Sequence, residues 1–177
     1  LAKALLKKPD RVLATEGAKR FARELGLNFA SPFTEQQLAN FRAKRSGKKG
    51  TVGAVVLDRS GRLAAATSTG GRGFEYPFRV SDSPTVAGNY ANEFVAVSAT
   101  GTGEQIVEQA AASTICAFLE AGMSFQKSLS KTISRSQKFR ADYGVIAVDR
   151  KGQFKAMVTK GSITWGAHDR HGVHLLK

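Results

Sequence analysis

The feature that most restricts the fold is the run Thr51-Val52-Gly53-Ala54-Val55-Val56-Leu57, apolar and β-branched, which follows Gly50 without transition. Such a run reads as a core strand. Asp58-Arg59-Ser60-Gly61 then offers a turn with glycine in its last place, and Leu63 to Ser68 returns as a second strand. Together they predict a β-hairpin, with the alanine-rich return strand tightly packed. The Asp-x-x-Gly pattern recurs at Asp149-Arg150-Lys151-Gly152, between strands predicted over 143–148 and 154–159. A further strand is predicted over 94–99 and a last short one over 162–165.

The other elements read as helices. Residues 1–8 carry a helical pattern ended by Pro9. A second helix runs from Thr15 to Leu25, with Phe21 and Leu25 on its buried side and Gly26 as its stop. Thr34-Glu35-Gln36-Gln37 has a capping-box pattern and opens a third helix to about Lys44. The Gly-rich turn Thr100-Gly101-Thr102-Gly103-Glu104 feeds one long helix predicted to run to about Ala121, and another is predicted over 124–138. Ser31-Pro32-Phe33 is a loop, and Arg45 to Gly50 lacks core-forming residues and reads as an exposed, mobile linker. The irregular stretch Phe74 to Tyr90 exceeds a plain turn, and long loops inside compact domains are usually functional. The fold class is α+β, with antiparallel sheets layered against helices.

Composition narrows the function classes. The chain is 42% hydrophobic and 23% charged over 177 residues, which suits one globular domain. Lys+Arg 27 against Asp+Glu 14 gives +13. That charge invites a nucleic-acid reading, but the positives are scattered and the tightest cluster, Arg42 to Lys49, has no interleaved aromatics, so a basic surface is preferred. Cys116 is the only cysteine, which excludes an internal disulfide framework and suits a reducing compartment; its setting reads as a helix core. No apolar run has membrane-spanning length and no signal peptide appears, so a cytoplasmic location is expected, without membrane partners.

Four stretches can carry chemistry. Thr51 after Gly50 is the first. A threonine hydroxyl is a weak nucleophile unless a base adjoins it. Were the preceding bond cut, the freed α-amine of Thr51 would be that base, because it titrates at about 7.7–8.0. A threonine that simply opens a strand is equally commonplace. The hydroxyl-rich strand end Thr67-Ser68-Thr69 before Gly70-Gly71 is the second; hairpin pairing would bring Thr69 near Thr51, or it is an ordinary strand end. Arg79-Val80-Ser81-Asp82 is the third. If Arg79 and Asp82 converge they can grip the carboxylate and amine of a free amino acid; otherwise they form a loop salt bridge. Thr100-Gly101-Thr102-Gly103, feeding a helix, is the fourth, and its backbone N–H groups suit an anion or oxyanion. It has no following Lys-Ser/Thr and is weak as a phosphate loop. His168, His171 and His174 lie three apart near the C-terminus, with Asp169 as their acidic neighbour; a metal site is not assigned to them.

In order along the chain, Gly50-Thr51-Val52-Gly53-Ala54-Val55, Ala66-Thr67-Ser68-Thr69-Gly70-Gly71, Arg79-Val80-Ser81-Asp82-Ser83-Pro84 and Val97-Ser98-Ala99-Thr100-Gly101-Thr102-Gly103-Glu104 resemble the plant-type asparaginase and isoaspartyl aminopeptidase family of N-terminal-nucleophile hydrolases. The resemblance implies an αββα layered sandwich. It implies self-cleavage between Gly50 and Thr51, with residues 51–177 as catalytic β subunit and residues 1–50 as the tail of the α subunit. Thr51 would be nucleophile and base, assisted by Thr69, with Thr100 and Gly101 as the oxyanion hole. Arg79, Val80, Ser81 and Asp82, with Thr100, Gly101, Thr102 and Gly103, would bind substrate: L-asparagine or β-aspartyl (isoaspartyl) dipeptides, yielding L-aspartate through an enzyme ester.

The resemblance implies no cofactor, and it places a structural sodium site and further sheet strands in the part of the α subunit that this chain does not contain. Assembly as a homodimer of αβ units is carried over as an expectation, with no nucleic acid. The family pattern has glycine where Ser81 stands, and a Cβ there shifts the substrate grip or is harmless if φ is negative. A glycosylasparaginase-like hydrolase, a taspase-like protease and an inactive or anion-binding fragment are the alternatives.

Overall fold

A computed structural model describes residues 1–28, 34–42, 50–73, 75–76 and 78–176. The Ser31–Phe33 loop, the third helix beyond Arg42, the Arg45–Lys49 linker, and Phe74 and Pro77 lie outside the described residues. Residues 1–47 with 76–78 group as one compact unit, and residues 48–75 with 79–177 as another. None of the described helices is long and apolar enough to cross a membrane.

The first unit holds α1 (Ala2–Leu5), α2 (Thr15–Glu24) and α3 (Glu35–Arg42). The first helix is shorter than its pattern, a single turn. On α2 the stop works as expected. Gly26 takes φ +67, Gly26 N–H reaches Arg23 O at 2.9 Å, and Leu27 N–H reaches Ala22 O at 3.0 Å. This is a Schellman ending, which only a residue tolerant of positive φ completes cheaply. The expected buried face is thin: Ala22 is the buried residue of α2, while Leu25 remains 42% exposed. Helices this short bury little, and ion pairs such as Lys19–Glu16 at 2.6 Å sit in solvent and contribute little.

The second unit carries three antiparallel sheets. β1 (Thr51–Leu57) and β2 (Leu63–Thr69) form the predicted hairpin, in register from Thr51↔Thr69 to Leu57↔Leu63. The Asp-x-x-Gly turn explains its closure. Asp58 Oδ1 accepts from Ser60 N–H at 2.8 Å and Arg62 N–H at 2.9 Å, and Gly61 takes φ +79. The second copy of the pattern builds the same turn: Asp149 Oδ1 accepts from Lys151 and Gln153 N–H, and Gly152 takes φ +81. The acceptor at the first position satisfies N–H groups that the tight chain reversal leaves unpaired.

A four-stranded sheet lies behind the hairpin, in the order β3 (Asn89–Ala91), β4 (Val95–Gly101), β5 (Tyr143–Asp149), β6 (Phe154–Val158). β4 is central, and its residues Val95 to Ala99 are buried on both faces, apolar apart from Ser98. Its Val95, Val97 and Ala99 enter the main core with Ile106, Ile115, Leu129 and Ile133. Ser98, on the other face, meets Thr67 of the hairpin at 2.8 Å. Helices α5 (Ala111–Glu120) and α6 (Phe125–Lys138) pack together, α5 on β3 and β4 and α6 on β6. Sheet on sheet with helices outside is the layered α+β arrangement expected.

Three expectations need correction. The helix predicted to follow the Gly-rich turn and run to about Ala121 is two helices, α4 (Gly103–Gln109) and α5, broken at Ala110 with φ 47 and ψ 45. The break is tertiary: Ala112 and Ser113 N–H donate to Ala87 and Val86 O, and Arg135 Nη2 donates to Gln109 O. These partners satisfy the backbone groups that the break frees, so no glycine or proline marks it in the sequence. The C-terminal stretch is a hairpin, β7 (Trp165–Asp169) with β8 (Gly172–Leu176), rather than one short strand over 162–165. The return strand β2 is close-packed on one face only: Ala64 and Ala66 point outward, beside Val52 at 73% and Val56 at 52% exposure.

Cys116 sits fully inside the core, with Sγ 3.8 Å from Val95 O. Burial, with Glu120 nearby, pushes its thiol up to about 12. Since the thiolate is the reactive form, iodoacetamide at pH 8 is expected to leave folded protein unlabelled and to modify one thiol per chain in denaturant. Intact mass reads both; rapid labelling of the folded chain would contradict the packing.

Candidate functional site

The hairpin register places the two threonines of interest directly opposite each other at the open end of β1 and β2. Thr51 Oγ1 donates to Thr69 Oγ1 at 3.3 Å, and Gly71 N–H donates to the same oxygen at 3.1 Å. Thr69 is therefore oriented by the backbone just past the strand, with its oxygen turned toward the Thr51 hydroxyl. Gly71, at φ +77, lets the chain double back to make that contact.

A cavity of about 160 Å³ opens beside them, lined by Thr51, Thr69, Gly71, Arg72, Arg79, Ser81, Asp82, Gly101, Thr102, Gly103 and Glu104. Seven candidate residues thus converge on Thr51: Thr69, Arg79, Ser81, Asp82, Gly101, Thr102 and Gly103. Thr100 faces a neighbouring cavity of about 120 Å³, which Thr51 also lines. Val80 does not line either one and is 68% exposed. Gly50, before Thr51, is exposed, with open space where a Cβ would stand.

The loop 82–88 holds the acidic group. Thr85 N–H and Oγ1 both donate to Asp82 O, at 2.8 and 2.7 Å, and Asn89 Nδ2 donates to Ser83 O at 2.6 Å. Gly88 lies so close that a Cβ there would overlap the Asp82 carbonyl. Asp82 ends 5% exposed, and its Oδ2 has no hydrogen-bond partner among the described residues. Its Oδ1 accepts from Ser81 Oγ at 2.8 Å, and Ser81 Oγ accepts from Arg79 Nη2 at 3.1 Å. Ser81 does not take a positive φ, so its backbone is unstrained and its side chain, not its conformation, is the departure from glycine.

Arg79 is also held by a residue that sequence reasoning passed over. Its Nε donates to Glu104 Oε1 at 2.6 Å, and Glu75 Oε2 lies 3.8 Å from Nη1. In the sequence Glu104 closes the stretch Val97 to Glu104 that carries the family resemblance, but nothing there pairs it with Arg79. The Arg79 hydrogen bond holds the Glu104 carboxyl down to about 2, from an ordinary 4.5, and raises Arg79 in turn. Glu104 is depressed in the folded chain, so its contribution to stability is present above pH 4.5 and is lost as pH falls through about 2. The stability advantage of the parent over Glu104→Gln is expected to shrink steadily from pH 5 to pH 2. Urea midpoints at each pH measure it, and a constant difference would show that the ion pair is not formed.

The C-terminal histidines do not converge. His174 meets Asp169 Oδ1 at 3.1 Å and lies tilted against the Phe154 ring, while His168 is exposed. No cluster of metal-ligating side chains occurs among the described residues.

Antiparallel sheets layered against helices define the class: an α+β fold consistent with that of the N-terminal-nucleophile hydrolases. A family model described as asparaginase matches residues 34–176. The chain belongs to the asparaginase family. It is 36% identical to an isoaspartyl peptidase/L-asparaginase of Nostoc, over 94% of this chain and 56% of that protein. It is 40% identical to an isoaspartyl peptidase of Salmonella typhimurium, over 81% and 53%, and 33% identical to a plant-type L-asparaginase of Pyrococcus horikoshii, over 86% and 58%. The chain spans about half the length of these relatives.

Proposed function

We propose that this chain carries the catalytic half of a threonine hydrolase for L-asparagine and β-aspartyl dipeptides. The observation that carries the reading is the convergence of Thr51, Thr69, Arg79 and Asp82 on one cavity. The relatives named isoaspartyl peptidase and L-asparaginase support the substrate class.

The chemistry follows from the groups present. In the whole chain, the Thr51 hydroxyl attacks the Gly50 carbonyl carbon, and its proton leaves toward Thr69. The C–N bond breaks, the Thr51 nitrogen takes a proton, and an ester links Gly50 to Thr51 Oγ1. Water hydrolyses that ester, giving a Gly50 carboxylate and a free Thr51 amine. The amine then serves as base for turnover. Thr51 Oγ1 attacks the side-chain amide carbon of the substrate, the amine passes the proton to the departing nitrogen, and a β-aspartyl ester remains for water to resolve. Thr100 and Gly101 are assigned to the oxyanion, Arg79 to the α-carboxylate and Asp82 to the α-ammonium, with Thr102 and Gly103 beside them. Thr51 supplies both nucleophile and base, so this route calls on no cofactor. The products of cleavage would stay together as α and β pieces, and pairing of two such units is part of the proposal.

Incubation at neutral pH followed by intact mass tests the first step, and release of L-aspartate from a β-aspartyl dipeptide tests the second. Two fragments meeting at Gly50 and Thr51, with aspartate released, is the expected result. A whole chain that releases no aspartate overturns the reading for this chain.

A further inference from the structure

We propose that the Ser81 hydroxyl stands in for a substrate α-ammonium on Asp82, and so opens the site to β-amides of dicarboxylic acids that have no α-amino group. The inference rests on the head-group assignment made above for Arg79 and Asp82.

Asp82 is a buried carboxylate inside the cavity wall, and such a group needs donors. A site that waits for its ligand to supply them rejects ligands lacking the donor, because binding then leaves the buried acceptor unpaired. Here the donor to one oxygen, Oδ1, is built in. Ser81 gives its one proton to Asp82 Oδ1 at 2.8 Å, and its oxygen accepts from Arg79 Nη2 at 3.1 Å. The hydroxyl thus bridges the cation and the anion that would hold the two charged ends of an amino acid. Its place faces the cavity floor: a Cβ on Gly103 would overlap Ser81 Oγ and lie 2.6 Å from Asp82 Oδ1 and 3.2 Å from Arg79 Nη2. A ligand that keeps the carboxylate for Arg79 but lacks the ammonium finds Asp82 Oδ1 already satisfied. A ligand with the ammonium finds that Oδ1, the oxygen nearer Gly103, already accepts from Ser81, while Oδ2 lies toward Gly88 with no hydrogen-bond partner among the described residues. Both effects narrow the preference for an α-amino group. The substrate class is therefore the ω-amide of a four-carbon diacid, succinamate beside asparagine.

The test is a pair of affinities that needs no turnover. Titration calorimetry on the full chain measures L-aspartate and succinate against the parent, Ser81→Ala and Ser81→Gly, with circular dichroism to verify folding. The parent is expected to bind the two ligands within about tenfold of each other. Both variants are expected to favour L-aspartate by about ten- to a hundredfold more than the parent does, the range of one hydrogen bond to a charged group. Alanine keeps the Cβ, so a shift in Ser81→Gly alone would assign the effect to volume and overturn the proposal. So would an unchanged ratio in both variants. Failure of the parent to bind either ligand removes the head-group assignment and the proposal together. Binding with the expected ratios but no hydrolysis of asparagine or succinamate by the parent removes the hydrolase reading alone.

Discussion

Thr51→Ala is expected to stay whole on neutral incubation and to hydrolyse β-aspartyl dipeptides at no more than about 10⁻⁴ of the parent rate, the scale of losing a nucleophile. Alanine removes the oxygen that attacks in both steps. It removes the Oγ1 contact to Thr69 but leaves the strand register, because Thr51 is the first residue of β1 and the hairpin pairs on from Val52↔Ser68 to Leu57↔Leu63. The fold should therefore survive, and a matching thermal melt makes the loss a chemical one. Thr51→Ser keeps the oxygen and is expected to retain cleavage at a reduced rate. Thr69→Ala is expected to slow both steps by about 10²-fold, the lower end for a group that handles a proton, because it removes the acceptor 3.3 Å from the Thr51 hydroxyl. Intact mass and aspartate release measure the series. Activity surviving in Thr51→Ala would place the nucleophile elsewhere and end the mechanism.

Gly101→Ala is expected to lower the melting temperature by about 5–20 °C. Gly101 ends β4 at φ +140, and a Cβ there would lie 2.5 Å from both Asp142 O and Tyr143 Cα. Backbone cannot step aside as a side-chain tip can. Strain at such a φ costs about 1–3 kcal/mol and forced overpacking a similar amount, and about 2–4 °C follows per kcal/mol in a domain of this size. The disturbance reaches the core, since Tyr143 is buried and its hydroxyl meets Ser136 Oγ at 2.6 Å. Gly61→Ala is the control: its φ is +79, but nothing lies within 4 Å of the added carbon. Only the conformational cost applies there, so a much smaller shift is expected by calorimetry. Equal shifts would mean that close approach at Gly101 is not what demands glycine.

Much of the site was legible because it hangs on local rules. An Asp-x-x-Gly turn between two apolar runs dictates a hairpin, a hairpin dictates register, and register sets Thr69 against Thr51. The twin turn at 149–152 was readable for the same reason. The misses are all tertiary. Ala110 breaks a helix with no residue that announces it, because the carbonyls of Val86 and Ala87 and the Arg135 side chain satisfy the freed groups. Glu104 was invisible because its partner Arg79 is 25 positions away in sequence. The β7–β8 hairpin was missed because Gly166, His168, Asp169, His171 and Gly172 dilute its alternation with residues that rarely form strands. Ser81 was legible as a departure, but the hydrogen bonds on either side of its hydroxyl needed the loop to fold back.

The outward face of the β1–β2 hairpin carries Val52, Ala54 and Val56 beside Ala64 and Ala66, all exposed. Its consequence is colloidal. A chain of net charge +13 repels its copies over distances of about 10 Å in 0.1 M salt and about 3 Å in 1 M. Salt therefore removes the barrier that keeps two such faces apart while leaving their mutual attraction in place. For this molecule ionic strength decides whether the hairpin stays wet.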